Sequence, residues 1–329
     1  MMDTLLSIQN FYFNLHVAGG ILPILQNINF AIHKKEILSL VGESGCGKTV
    51  CSLAITKLLP DKRSEYQSGK ILFHNENLLE ADPPEMAHIR GNKISYVFQD
   101  PFSSLNPLKK IKEQILEPFL IHVSTNEKEG IEKAKFLMDK VGLSDLSQRL
   151  NSYPNQLSGG ILQRVCIAMA LMCDPELLIA DEPTSALDVT VQAQLVDLFH
   201  DLREERGMSI LFISHDLSLV SSISDRIAVM YAGEIVEEAV VEDIIHHPKH
   251  PYTKALLGTI PALHTDNDSV LQTIPGVVPT PDKYPQGCHF SARCSEAMER
   301  CEVEKPLDYT DKKMHKTRCF LYEGYHDSN

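Results

Sequence analysis

The stretch Glu36 to Thr49 reads EILSLVGESGCGKT, and the fold is decided there. A short apolar run, Ile37 to Val41, breaks into Gly42-x-x-x-x-Gly47-Lys48-Thr49, and apolar residues continue at helical spacing from Val50 to Leu59. Strand, glycine loop and helix in that order make a phosphate-binding P-loop. Glycine lets the backbone curl with its N–H groups inward, and the helix N-terminus adds its positive end. The cradle runs through Gly42, Glu43, Ser44, Gly45, Cys46 and Gly47 into Lys48, Thr49 and Val50. Lys48 brings a cation to the β and γ phosphates, and the Thr49 hydroxyl is a ligand for Mg²⁺.

Upstream, Leu5 to Phe13 and Ile24 to Ile32 alternate apolar and polar residues and read as strands, with a turn at Gly19-Gly20. They predict an antiparallel layer ahead of the P-loop strand. Gly69 to Phe73 and Ile94 to Phe98 are further short strands. From Asn106 to about Asp145 the apolar spacing becomes helical (Ile111, Ile115, Leu116, Ile131, Ala134, Leu137, Met138, Val141), as in a helical insertion. Apolar runs at Leu177 to Ala180 and Ser209 to Ser214, with a helix at Val189 to Arg206 between them, imply parallel strands. Arg226 to Tyr231 and Glu234 to Glu238 flank Ala232-Gly233 as a hairpin. Beyond Pro248 the text turns proline-rich, with Pro251, Pro261, Pro275, Pro279, Pro281, Pro285 and Pro306, and reads as a loop-rich appendage with little core of its own.

The 329 residues carry 31 Lys and Arg against 44 Asp and Glu, a net charge of −13. That balance argues against sequence-independent nucleic-acid binding, which needs a basic footprint, so no nucleic-acid partner is expected. No apolar run reaches the roughly 18 to 20 residues of a membrane span; the most apolar long window, Ile161 to Ala180, is interrupted by Gln163, Arg164, Asp174, Pro175 and Glu176. With no basic and apolar leader at the N-terminus, the chain is expected in the cytosol. There its eight cysteines argue for packing, metal or redox roles rather than a disulfide framework.

A P-loop needs a second acidic element. Leu177 to Glu182 supplies an apolar strand ending in Asp181, placed to hold Mg²⁺, and Glu182, placed to polarise the attacking water as general base. Leu157-Ser158-Gly159-Gly160 then opens an apolar helix running to Cys173 and offers a second anion site at a helix N-terminus.

With these elements the sequence resembles the ATP-binding cassette (ABC) ATPases from Leu5 to about His250. The resemblance implies an α/β P-loop NTPase cassette at residues 1–250: a RecA-like parallel sheet core, an antiparallel β layer and a helical subdomain at about 102–160. It further implies that Ser158, Gly159, Gly160 and Gln163 close over ATP held on the P-loop of a second subunit. Gln99, in YVFQDP, matches the Q-loop glutamine that senses Mg²⁺ or water. Ser185-Ala186-Leu187-Asp188 matches the D-loop, and His215 the switch histidine that contacts the γ-phosphate. The catalytic set is therefore Lys48, Gln99, Glu182 and His215, with Thr49, Gln99 and Asp181 around Mg²⁺. The family's adenine-stacking aromatic falls by register at Leu15, with Tyr12, Phe13 and His16 nearby.

The remaining motifs are similar to the dipeptide and oligopeptide importer ATPases, nearest the D-type subunits of dipeptide permeases. They are FQDPxxSLNP from Phe98 to Pro107, HPYTKALL from His250 to Leu257, IPGVVP from Ile274 to Pro279, and GCxFxxRC from Gly287 to Cys294. This resemblance implies a peripheral ATPase on the cytoplasmic face of the inner membrane. Its partners would be a paralogous second ATPase, two transmembrane permease subunits and, indirectly, an extracytoplasmic peptide-binding protein. Importers of nickel or glutathione share most of these motifs; a soluble cassette ATPase acting on DNA or the ribosome is the rival of another class. In the appendage, residues 251–329, Cys288, Cys294, Cys301 and Cys319 are four thiols in a loop-rich segment, fit for Zn²⁺ or a [4Fe–4S] cluster. Their spacing lacks the tight Cys-x2-Cys knuckle usual for zinc, and the resemblance implies the cluster, as a staple for a tail that buries little apolar surface. Cys46, Cys51, Cys166 and Cys173 read as small buried residues, with Cys46 open to oxidation beside the nucleotide.

Overall fold

The computed structural model describes residues 3–185, 187–259 and 274–324. Ala186 of the D-loop stretch and Pro261 lie outside the described residues. The chain divides into two compact units, residues 1–3, 33–37 and 80–213, and residues 4–32, 38–79 and 214–329.

The second of these carries the P-loop. Its strand Ile37–Val41 is buried along its whole length, as five consecutive apolar or small residues require. Leu38 to Val41 pair in parallel with Arg226 to Val229. Strand Arg226–Tyr231 then turns back antiparallel into Glu234–Val240, the hairpin expected at Ala232-Gly233. The appendage is not a separate layer: Lys316–Thr317 adds antiparallel to the Glu234–Val240 strand, and Tyr309–Thr310 adds to that. The register slips between Ile235 and Glu237. Glu237 and its neighbour Glu238 lie on opposite faces of the strand, yet both are buried.

A four-stranded antiparallel sheet completes this unit, in the order Gly20–His33, Thr4–Val17, Ser64–Phe73, Glu76–Asn77. The strands expected at Leu5 to Phe13 and Ile24 to Ile32 lie within longer ones. Leu6, Ile8, Phe11, Phe13, Leu25 and Ile28 form its buried side. The P-loop helix spans Lys48–Ile55, starting two residues and ending four residues earlier than the apolar spacing predicts. Thr56 leaves helical geometry, Lys57 takes a left-handed φ of 50°, and Pro60 follows.

In the other unit, Ile94–Val97, Leu177–Asp181 and Ser209–Ser214 run parallel, with Leu177–Asp181 between the other two. Helix Val189–Arg206 connects the last two; Asp188 caps its start and Gly207, at φ 68°, ends it. Helices Ile111–His122, Glu127–Lys140, Leu146–Asn151 and Gly159–Ala170 bury Ile115, Leu116, Phe119, Ala134, Leu137, Met138 and Leu162 among themselves. Ile115, Leu116, Ala134, Leu137 and Met138 are among the residues whose helical spacing marks the stretch in the sequence, and Ile131, also counted there, is half-buried.

Candidate active site

The P-loop is shaped by two glycines. At Gly42 (φ 154°) an added Cβ would stand 2.1 Å from the Met230 carbonyl oxygen, and at Gly47 (φ 110°) 2.9 Å from the Met230 methyl group. Lys48, only 6% exposed, folds back over the loop, and its ammonium donates to the carbonyl oxygens of Gly42 (2.7 Å) and Glu43 (3.1 Å). No side chain caps the helix that Gly47 opens, so its first N–H groups are left for a ligand. Ser44, Gly45 and Thr49 are exposed. Cys46 is fully buried, as its small-residue reading expects, but is not open to oxidation. Burial raises its thiol pKa against the pull of the Lys48 cation, which makes it a poor target for oxidation.

Two side chains from far along the sequence reach this loop. The Tyr252 hydroxyl accepts the Glu43 N–H at 2.9 Å. The Arg293 guanidinium donates to both Glu43 carboxylate oxygens, at 2.7 and 3.0 Å. The sequence places Tyr252 in HPYT and Arg293 in the RC pair, but as marks of a subfamily; nothing local says what they touch.

A second constellation stands at the end of strand Leu177–Asp181. Asp181, 2% exposed, accepts the Tyr96 hydroxyl at 3.0 Å. Glu182 accepts the Gln99 amide at 2.8 Å, so the structure brings together the two side chains expected around the attacking water. Glu182 has φ 46° and its N–H donates to the Ile213 carbonyl at 2.9 Å. A non-glycine residue in that region stores strain, as reacting residues often do. Tyr96 is an addition to the expected set; its signal is register, since it pairs with Ile179 and so stands two residues short of Asp181 along the strand.

Ser158 is the N-cap residue of helix Gly159–Ala170 and makes no side-chain capping bond. Gln163, expected at the nucleotide, is instead completely buried, and among the described residues neither amide atom has a hydrogen-bond partner. Asp188 spends its carboxylate on the Val191 N–H at 3.0 Å, as a helix cap. His215 is exposed after its strand, between Ser214, whose hydroxyl accepts the Asp216 N–H, and Asp216, whose carboxylate caps the next helix. Of the four residues near the expected adenine position, Phe13 is in the core against Tyr66. Tyr12 and Leu15 are half-buried, and His16 is exposed.

The four tail cysteines, Cys288, Cys294, Cys301 and Cys319, line one small cavity together with His250, Phe290 and Phe320. Burial pushes the Cys288 thiol up to about 12 and Cys319 to about 11, and raises Cys294; backbone N–H groups of Phe290, Leu321 and Glu296, respectively, pull the other way. The Met298 N–H faces the Cys301 sulfur at 3.5 Å. His250, 1% exposed, takes the Tyr252 N–H on Nδ1 at 3.0 Å, and its Nε2 has no hydrogen-bond partner among the described residues. Each sulfur thus meets a backbone donor, a setting that suits thiolates. Yet among the described residues no group of three or more His, Cys, Asp or Glu side chains is arranged to hold a metal ion. The expected four-cysteine cage is in this respect not met. As expected, Cys51 and Cys166 are buried; Cys173 is half-exposed.

Residues 25–185 match the ABC transporter family, and residues 236–301 the oligopeptide/dipeptide transporter C-terminal region. The chain is 44% identical to the oligopeptide transport ATP-binding protein AppD of Bacillus subtilis over 98% of both chains. It is 41% identical to the dipeptide transport ATP-binding protein DppD of the same organism, over 98% of this chain and 96% of that one. Among solved structures it is similar to the ATP-binding cassette MJ0796, seen as a dimer in a post-hydrolysis state bound to ADP and Pi. There the TM-score is 0.65 at 29% identity, covering 72% of this chain and 99% of that one. The chain belongs to the ATP-binding subunits of ABC transporters, in the branch that carries the oligopeptide/dipeptide transporter C-terminal region.

Proposed function

We propose that this ATPase energises import of dipeptides or oligopeptides across a membrane. Lys48 and the P-loop N–H groups bind the β and γ phosphates. Thr49, Gln99 and Asp181 would hold Mg²⁺, which when bound would offset charge on the phosphate oxygens. Glu182 takes the proton of the attacking water, oriented by Gln99, and His215 holds the γ-phosphate. The observation that carries this is the 2.8 Å bond from Gln99 to Glu182, which ties the general base to the residue expected to report on the membrane partner. Ser158 to Gly160 serve the P-loop of a second, paralogous ATPase, so one chain is half of the machine. Among the described residues no helix is long and apolar enough to cross a membrane, and two permease subunits supply the path. The exposed Phe102 and Leu108 support docking of the helical insertion against them, with the chain on the cytoplasmic membrane face.

Reconstituted with its permeases and second ATPase, the protein is expected to couple ATP hydrolysis to uptake of labelled dipeptide. Uptake of nickel or glutathione in place of peptide would change the cargo and leave the ATPase assignment standing. Glu182→Gln is expected to bind ATP but to turn it over about 100-fold more slowly, and full hydrolysis with the partner site disabled would sink its role as base. At the tail, we assign Cys288, Cys294, Cys301 and Cys319 to a [4Fe–4S] cluster rather than Zn²⁺. The backbone N–H groups that meet the four sulfurs support this. Anaerobically purified protein should absorb near about 400 nm; stoichiometric zinc without that band overturns it.

A further inference from the structure

We infer that Arg293 is a positioning residue of the nucleotide site, acting through Glu43 of the P-loop; this rests on the reading that the loop binds nucleotide phosphates. Every polar group of Glu43 is engaged. Its N–H goes to the Tyr252 hydroxyl (2.9 Å), its carbonyl receives Lys48 (3.1 Å), and its carboxylate receives Arg293 (2.7 and 3.0 Å).

Arg293 cannot itself swing onto a phosphate. Its side chain is 6% exposed, its Nε donates to the Pro275 carbonyl at 2.7 Å and its Nη1 also to the Tyr231 hydroxyl at 3.3 Å. The guanidinium lies 5.7 Å from the Tyr231 ring centre and 6.0 Å from that of Phe290. Tyr252, fully buried, packs on the same two rings at 4.6 and 5.3 Å.

A carboxylate in a loop that must take up a polyphosphate is a liability, because like charges at short range in a partly buried site repel strongly. Arg293 removes that charge with a bidentate pair and fixes the residue whose carbonyl holds Lys48. The C-terminal segment therefore completes the phosphate site without touching the phosphates. The same residue is next in sequence to Cys294, so the wall of the thiol cavity and the grip on the P-loop are one piece of chain.

The test is equilibrium binding of a fluorescent ATP analogue with Mg²⁺ to the full-length chain, as wild type, Arg293→Met, Glu43→Gln and the double variant. Arg293→Met is expected to bind about tenfold more weakly, and the double variant to return to within about threefold of wild type, because the two changes act through one pair. Arg293→Gln, which keeps a donor without the charge, gives the same reading should the methionine variant not fold. Unchanged affinity in either arginine variant overturns the inference. So does a loss that Glu43→Gln does not relieve, since Arg293 would then only pack the tail. In both cases wild-type binding leaves the nucleotide reading intact; no binding by wild type overturns that reading and the inference with it.

Discussion

Two regions of one unit meet at Glu43 and are held by different means. The P-loop is shaped by its own backbone: glycines at positions no side chain fits, a buried apolar strand before it and a helix start after it. The C-terminal segment is held by buried charges. Glu237, 1% exposed, accepts the N–H groups of Lys249 (2.6 Å) and His250 (2.9 Å) and pairs with His315 (2.6 Å). Glu238 pairs with Arg226 and Lys316, and Glu234 with Lys305 at 2.7 Å. A loop made from backbone geometry is free to spend its side chains on chemistry, whereas a tail made from charges spends them on staying folded.

Substitutions in the two regions should therefore separate chemistry from stability. The largest effect is expected at Lys48→Ala. ATP turnover by the assembled transporter should fall about 1,000-fold, or about 4 kcal/mol in the barrier, with little change in the unfolding midpoint of the isolated chain. A large drop in that midpoint would mean that the Lys48 bonds to Gly42 and Glu43 hold the loop together, and the contrast would fail on its P-loop side.

Glu237→Ala should do the reverse. It strands two backbone N–H groups and a histidine in a buried site, at a cost of about 3 kcal/mol in denaturant unfolding. A cost under about 1 kcal/mol would show that the tail is held by packing after all.

The same contrast explains what was legible in the sequence. Gly42 to Thr49 act on one another within one turn of chain, so their order alone reveals their use. The parallel strands and the helical stretch are equally plain, because burial repeats along each at its own period. The tail gives no such signal: the Arg293 to Glu43 bond spans 250 positions and that from His315 to Glu237 spans 78. Glu234, Glu237 and Glu238 read only as part of a hairpin arm, and their burial is set together with a strand about 80 positions on, where Lys316 and Thr317 pair along that arm. Gln163 misled in the opposite sense. Its place after Ser158-Gly159-Gly160 suggests the nucleotide, and its burial depends on packing that spacing does not specify.

Tyr252→Phe is the smallest expected effect and the finest probe of the junction. The ring, fully buried against Tyr231 and Phe290, is retained, and only the hydroxyl that accepts the Glu43 N–H is lost. One neutral hydrogen bond removed at a partly buried site costs about 1 kcal/mol, and Arg293 still holds the Glu43 carboxylate. Thermal unfolding should shift by a few degrees, and ATP affinity should weaken by no more than about threefold. If Tyr252→Phe weakens nucleotide binding as much as Arg293→Met, the tail works by steering the loop's backbone; if it leaves binding untouched while Arg293→Met does not, neutralising one carboxylate is what the tail contributes.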